Sequence, residues 1–425
     1  MKLLCLSNGH GEDRIAASIL RELQRHPDCP QLAALPLVGE GLAYTQLPDV
    51  TLLGPVRKMP SGGFVYMDGR QFWRDVRGGL IQLTLAQLGA VKRWAKGGGK
   101  ILAVGDILPL LMAWWSGGNY SFVGTAKSEY YLRDEAGWLY RRKKADRLER
   151  WSGSVYLPWE RMLMHSRRCQ AVFARDTLTA EVLQKFRIPA LDLGNPMMDE
   201  LGLELSSTGY YNPDANRRGS RRVMTVLLLP GSRSPEAYAN WEQIGLAMVS
   251  VREAFADRPL LFLAAISPGL DLETLTDDLA RYGWRRHAHR PILTSDPKAE
   301  CFSLLNSRLV LSQDGFGECL RRADFALAMA GTATEQFVGL GKPAIAFPGG
   351  GPQYTAAFAE AQSRLLGCSL ILVDRPEKAA EPIQTLLRDP DRLQSIAENG
   401  RRRLGKPGAS RRIADSLMKR LVASG

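Results

Sequence analysis

Four short stretches of this 425-residue chain concentrate residue types that hold anions and move protons. Asn8-Gly9-His10-Gly11-Glu12-Asp13 follows the apolar run Leu3 to Ser7. Its two glycines let backbone approach a ligand closely, and the helix expected after it offers its first amides to an anion. Asn8, His10, Glu12 and Asp13 are a dense polar set for a turn, although Glu12 and Asp13 would also favour a first helical turn electrostatically. A dinucleotide fingerprint would require a third glycine where Arg14 stands, so a nicotinamide cofactor is disfavoured. Pro230-Gly231-Ser232-Arg233 follows a strongly apolar run, with Gly231 permitting a tight turn and Arg233 able to clamp phosphate oxygens. Ala330-Gly331-Thr332-Ala333-Thr334-Glu335-Gln336 leads from an apolar run into a helical one. The amides of Gly331 to Ala333 suit a diphosphate at the positive end of that helix, and a polar side chain one turn on could bond ribose hydroxyls. Capping by Thr332 or Thr334 is the plainer reading of the same threonines. Phe347 to Gln353 (FPGGGPQ) could form an anion-binding nest around Gly350, with Gln353, Tyr354 and Gln362 within reach of a sugar.

One isolated carboxylate joins these stretches. Asp106 follows the run ILAV and precedes ILPLLMAWW. Apolar neighbours would raise its pKa, which suits a general base. The same position suits a helix N-cap, and the residues alone leave both readings open. His10 and Glu12 are the reserve acid–base candidates.

These stretches need elements to hold them. After the first loop, Ile15, Ile19 and Leu23 recur every four residues, the mark of an amphipathic helix over Arg14 to Arg25. Apolar runs at Ala33–Val38, Ile101–Val104, Ala171–Phe173 and Ala190–Leu193 read as buried parallel strands. A polar, turn-rich interval then intervenes, and a second series begins at Val223–Leu229. It continues at Leu260–Ala265, Leu309–Leu311, Phe325–Met329, Ala344–Phe347 and Leu370–Val373. Strands alternating with helices specify an α/β fold with doubly wound parallel sheets, in two Rossmann-like domains. The expected boundaries are 1–205 for the first domain, 206–222 for a linker and 223–408 for the second. An amphipathic helix over 409–425, with Ile413, Leu417 and Leu421 on one face, is expected to pack on the body.

Three motifs in order carry a resemblance to a known family. AGTATEQFVGLGKPAIAF resembles the donor-site motif of lipid-A-disaccharide synthases, S-G-T-A-T-L-E followed by a helix and G-x-P. LLLPGSR is similar to their L-L-P-G-S-R, and Asp192 to Asp199 (DLGNPMMD) to V-G-H-P-x-x-D. The whole looks most like the divergent lipid-A-disaccharide synthase-related proteins. Ala330 replaces the motif's serine and Asn195 its histidine. The motif's glutamate position falls on Gln336, with Glu335 in place of leucine, so either could face the ribose. NGHGED keeps the family's G-E-x-S-G-D only loosely.

The resemblance implies the GT-B architecture, two such domains facing a cleft. It also implies inverting, metal-independent transfer of an N-acetylglucosamine-type sugar from a UDP-sugar to a lipid-linked acceptor. Asp106 would be the base, and Arg233 with the helix near Thr334 would stabilise departing UDP. Asn8, Gly9, Gly11 and Asp13 would line the acceptor side. No cofactor beyond the donor and no metal are implied. The rival readings are a UDP-N-acetylglucosamine 2-epimerase-like isomerase and a non-catalytic nucleotide-sugar-binding protein.

Bulk properties narrow the partners. A net charge of +12 points to an anionic one. Aromatic and basic residues interleave from Phe64 to Trp94, and Arg141, Arg142, Lys143, Lys144, Arg147 and Arg150 cluster further on. Such mixtures suit an anionic membrane surface or, blandly, a core helix with a solvated face. No nucleic-acid-binding motif accompanies the charge. The six cysteines are scattered and fit reduced thiols. His287 and His289 are the only close histidine pair, too few for a structural metal. With no long apolar run and no signal-peptide pattern at the N-terminus, the expected location is cytoplasmic, peripheral at the inner face of a membrane. The oligomeric state is left open.

Overall fold

A computed structural model describes residues 1–56, 80–140, 147–201, 223–287 and 294–422. The expected linker, the aromatic run Phe64 to Trp73, the cluster Arg141 to Lys144 and His289 lie outside these residues. The chain divides into two compact units, Met1–Glu200 with Lys406–Gly425, and Leu201–Gly405. The end of the chain therefore belongs with the first unit and is not a separate piece.

The first unit is built on a seven-stranded sheet. Its strands are β1 (Lys2–Ser7), β2 (Gln31–Pro36), β3 (Val50–Leu52), β4 (Lys100–Gly105), β5 (Tyr120–Gly124), β8 (Cys169–Phe173) and β9 (Ala190–Leu191), all in parallel pairs. A two-stranded hairpin, β6 (Arg133–Asp134) and β7 (Gly137–Trp138), stands apart. The sheet order is β3-β2-β1-β4-β5-β8-β9, so β1 lies between β2 and β4. Leu4, Leu6, Ile101, Ala103 and Phe122 are almost fully buried, as strands covered on both faces must be. Two strands of this sheet, β3 and β5, have no counterpart among the expected apolar runs. β5 (YSFVG) mixes polar and apolar residues although all five are buried.

The first helix is longer than its apolar periodicity indicated, running His10–Gln24. Gly9, at φ 126°, makes the whole turn out of β1, so His10 to Asp13 form the first helical turn and not a loop. Within Leu80–Lys96, Leu83, Leu88 and Val91 are buried. For this helix the bland reading of a core element with a solvated face holds.

The second unit has an eight-stranded sheet. Its strands are β10 (Met224–Leu229), β11 (Leu260–Ala265), β12 (Arg285–Arg286), β13 (Glu300–Leu304), β14 (Ser307–Ser312), β15 (Phe325–Ala328), β16 (Ala344–Ala346) and β17 (Leu370–Leu372). The order is β12-β13-β14-β11-β10-β15-β16-β17, parallel except for antiparallel β12 and β13 at one edge. Here β10 is the inner strand, between β11 and β15. Every residue of β10 and β11 is buried.

The last helix, Ala409–Val422, buries Ile413, Leu417 and Leu421. It packs against His10–Gln24, where the Ser18 and Ser410 hydroxyls meet at 2.7 Å. Asp199, the aspartate of DLGNPMMD, receives the amides of Gly408 and, at 2.6 Å, Ser410. Arg412 donates to the Leu193 carbonyl at 2.9 Å. A motif that carries part of the family resemblance thus supplies the clasp that caps the final helix. Asp199→Ala removes a charged N-terminal cap, worth about 1–2 kcal/mol. A lowered melting temperature, with proteolysis first trimming the chain near residue 405, is the expected result of limited trypsin digestion and calorimetry.

Candidate functional site

In each sheet the strand that comes first in sequence lies inside the sheet, with later strands added on both sides, so connections leave it in opposite directions. A crevice for ligands forms at such a switch point, beyond the carboxyl ends of the strands. In the first unit this is the gap between the ends of β1 and β4, in the second between β10 and β15. The four chemically rich stretches and Asp106 fall at these places or beside them.

At the β1/β4 switch point, Asn8 and Glu12 follow β1 and Asp106 follows β4. Asp106 caps the helix Ile107–Trp115, its Oδ1 accepting from the Leu108 amide at 2.8 Å and its Oδ2 from Asn8 Nδ2 at 3.0 Å. The capping role left open by the sequence is the one the fold gives it. Asn8 Oδ1 is buried with no hydrogen-bond partner among the described residues.

Glu12 is the poised carboxylate. Half-buried, it is pushed up to about 6 by burial, with the charges of Asp106 and Asp13 adding to the rise. Its own backbone amide and the Thr125 hydroxyl, 3.4 Å away, act in the opposite direction. Glycine is required around it. A Cβ on Gly105, at φ +132°, would stand 3.2 Å from Glu12 Cγ, and one on Gly9 would stand 3.0 Å from Glu12 Oε2. Gly11 has no such neighbour. Thr125, just past β5, went unnoticed in the sequence because β5 itself did. His10 is exposed on the same helical turn.

Asp13 does not line this face. It is 2 % exposed and accepts the Ser7 hydroxyl at 2.6 Å, while Ser7 also meets the Tyr44 hydroxyl at 2.5 Å. Burial holds its carboxyl up at about 6, against the Ser7 hydrogen bond and the charge of His10. The expectation of an acceptor-side role for Asp13 is therefore replaced by an interior one.

At the β10/β15 switch point the second unit draws three loops together. Gly231 turns at φ +100°, and a Cβ there would meet the Met329 carbonyl at 3.4 Å. Asn240 Nδ2 bonds the Pro230 carbonyl at 3.0 Å and reaches that of Met329 at 3.5 Å, joining the loop after β10 to the loop after β15. Ser232 is exposed and Arg233 half-buried, its pKa lowered by burial but supported by Glu236. Glu236 Oε1 accepts the amides of Gln353 at 3.0 Å and Tyr354 at 2.6 Å, which fastens the glycine-rich loop after β16.

The AGTATEQ helix spans Thr332–Gly339 with Gly331 at its N-cap and no side-chain cap. Thr334 does not cap; fully buried, it donates to the Ala330 carbonyl at 2.6 Å. Thr332 is exposed and Ala333 half-buried. Helix geometry leaves the first amides without an intrahelical acceptor. Gln336 is 2 % exposed and Glu335 9 %, so the latter has the better access. Gln362, expected near a sugar, is buried and bonds the carbonyls of Ala330 and Gly331 at 3.0 and 3.1 Å. Tyr354 is likewise buried, bonding the Ala328 carbonyl at 3.2 Å. Both are scaffold. A Cβ on Gly350 would meet nothing within 4 Å, whereas one on Gly349 or Gly351 would collide with the Tyr354 carbonyl or the Glu236 side chain. The close approaches are thus at Gly349 and Gly351.

No protein-family model and no curated protein matches the chain. Solved structures do. UDP-GlcNAc 2-epimerase from Neisseria meningitidis, bound to UDP-GlcNAc, is 15% identical, with 99% of this chain and 100% of that one covered at a TM-score of 0.53. MurG from Acinetobacter baumannii is 15% identical, covering 98% and 99%, with a TM-score of 0.55. CalG4, the calicheamicin glycosyltransferase, is 13% identical, covering 99% and 98%, with a TM-score of 0.55. The chain has the GT-B fold. That architecture is the one the motif resemblance implied.

The two raised carboxyls make stability depend on pH. A folded-state acid raised towards 6 holds its proton more tightly than in the unfolded chain. Its contribution is complete below about pH 4 and lost as pH rises through 6, on the order of 2–3 kcal/mol for buried Asp13. Asp13→Asn keeps an acceptor for Ser7 and removes this titration. The variant's melting temperature, measured against the parent, should climb as pH goes from 4 to 7.

Proposed function

We propose that this chain is a UDP-sugar enzyme whose second unit holds the nucleotide and whose first unit carries acid–base groups. The observation that carries this is the joining of the PGSR, AGTATEQ and glycine-rich loops at one switch point. The amides of Gly331, Thr332 and Ala333 and the Arg233 guanidinium meet the diphosphate, Ser232 adds a hydroxyl, and Glu335 takes the ribose. Gln353 faces the sugar. Arg233 and the helix dipole offset the charge that develops on UDP as its bond to the sugar breaks.

The first reading of the reaction is epimerisation at C2 of a UDP-N-acetylhexosamine. Its support is the set of solved structures sharing the fold, several of which bear the name UDP-GlcNAc 2-epimerase. No carbonyl adjoins C2 in the ring. Inversion there can proceed by removing the C2 proton as UDP leaves C1, then returning UDP to C1 and a proton to the opposite face of C2. That demands more than one proton-transferring group. Glu12, held at about 6, is the base, and His10 on the same turn is the second group. Asn8 Oδ1 is an acceptor for a sugar hydroxyl.

The second reading is transfer to a lipid-linked acceptor, with Glu12 as the single base. The ordered resemblance to lipid-A-disaccharide synthases favours it, as does one surface of the first unit. Trp151, Trp159 and Met162 are 78%, 48% and 59% exposed there. Arg161 links the two helices that carry them, bonding the Ser152 carbonyl at 2.8 Å. Aromatic side chains among arginines suit the headgroup level of an anionic bilayer. No helix among the described residues is long and apolar enough to cross a membrane.

Incubation with UDP-N-acetylglucosamine alone separates the readings. Proton exchange from solvent into C2, and formation of the C2 epimer seen by NMR, is the result expected of the first. Acceptor-dependent UDP release without either would replace it by the second. Under both, turnover rises with pH through about 6 as Glu12 ionises, and Glu12→Gln lowers kcat by about 10²–10⁴. An unchanged profile in that variant would remove Glu12 from the chemistry. The transfer reading further requires sedimentation with phosphatidylglycerol vesicles, weakened at least severalfold by Trp151→Ser with Trp159→Ser; no sedimentation counts against it.

A further inference from the structure

The helix Glu236–Ala254 places two polar side chains one turn apart, Glu236 and Asn240, and both are buried among loops. Asn240 joins the two loops that the proposed reading gives to the diphosphate. Glu236 does something different. Its Oε1 takes two successive amides, those of Gln353 and Tyr354, from a loop that the reading gives to the sugar. The backbone has closed onto this carboxylate. A Cβ on Gly351 would lie 2.3 Å from Glu236 Oε1 and 2.4 Å from its Cγ, so only glycine fits. Gly349 is pinned on the other side, its Cβ position 2.5 Å from the Tyr354 carbonyl and 3.1 Å from Asn240 Oδ1.

From this we infer that Glu236 is a positioning residue whose hold on the glycine-rich loop favours the sugar nucleotide over the bare nucleotide. Its hydrogen bonds go to that loop, while its charge also supports Arg233. It fixes the backbone at Gln353, the half-buried side chain beside buried Tyr354. A carboxylate accepting two amides is a charge-assisted anchor, stronger than a neutral turn. Releasing it frees the glycine-rich segment, and the entropy of re-ordering that segment is then borne by whatever binds to it. That cost falls on UDP-sugar, in addition to any loss that both ligands share through Arg233. The inference rests on the UDP-sugar reading.

Calorimetric titration of the full chain with UDP and with UDP-N-acetylglucosamine tests it. Gly351→Ala loosens the anchor from the loop side, leaves the Glu236 charge in place for Arg233 and should bind UDP within about twofold of the parent. Its affinity for UDP-N-acetylglucosamine should fall about tenfold, erasing the preference for the sugar nucleotide. Glu236→Gln keeps an Oε1 acceptor and should retain most of that preference. Glu236→Ala should lose the same preference, on top of a loss of affinity that both ligands share through Arg233. Parallel loss of both affinities in the two alanine variants, or no loss in either, overturns the inference. A parent protein that binds neither ligand overturns the UDP-sugar reading and this inference with it, and is told apart by the parent's own titration.

Discussion

A parallel sheet whose first strand lies inside it, with later strands added on both sides, must send its next connections to opposite faces. The carboxyl ends of the central pair are then left with no helix packed over the gap between them. Everything chemically distinctive in this chain follows from that constraint, applied once in each unit. The gap between β1 and β4 collects Asn8, Glu12 and Asp106; the gap between β10 and β15 collects Gly231, Arg233 and the first turn of Thr332–Gly339. Side chains far apart in sequence meet because two strand ends are neighbours in the sheet order. Backbone amides at such ends are plentiful and unsatisfied, so the site presents donors before any side chain is chosen.

The same constraint explains why so many polar groups here are buried and yet not reactive. A loop brought close to a strand end must satisfy its own carbonyls and amides, and buried polar groups left unpaired are costly. Asn240 and Gln362 serve carbonyls; Glu236, Asp106 and Asp199 serve amides. Each is a polar side chain in a motif or near one, and each is spent on holding backbone. Glu12 differs in having only a long contact from Thr125 beside its own amide, and two carboxylates for neighbours. Its proton is held by burial and like charge, the combination that leaves an acid able to exchange it near neutral pH.

The fold was legible in the amino-acid sequence where residues are buried on both faces. VLLL, LLFLAA and KILAV announce β10, β11 and β4 without ambiguity. Legibility failed where a strand borrows burial from its surroundings, as YSFVG does in β5, and where helix geometry begins before apolar periodicity, as it does at His10. Glycines carried more information than their number implied. Gly105 and Gly351 are required by a carboxylate drawn from another segment, and no local pattern reveals which segment that is. The roles of Asp13, Thr334 and Gln362 were misjudged for a common reason. Residue type shows that a side chain can bond a ligand, but only packing decides whether it has already bonded the protein.

That distinction bears on what the motifs can say about the reaction. The strings that resemble the lipid-A-disaccharide synthases lie in the second unit or in the clasp at Asp199, and most of their described contacts are with backbone. Under the proposed reading they form a cradle for a nucleotide diphosphate, which an epimerase and a transferase need alike, since both break the bond between the anomeric carbon and UDP. What separates the two reactions is where a proton is taken from: a carbon of the bound sugar, or a hydroxyl of a second substrate. That choice belongs to the groups around Glu12, in NGHGED, where the resemblance is weakest. A donor-site motif can therefore persist unchanged while the chemistry beside it diverges. Glu12, raised by burial and by the charges of Asp106 and Asp13, suits either proton. Under the proposed reading, discrimination falls to what the Asn8 side-chain carbonyl and His10 orient towards it, within a stretch that keeps the family's motif only loosely.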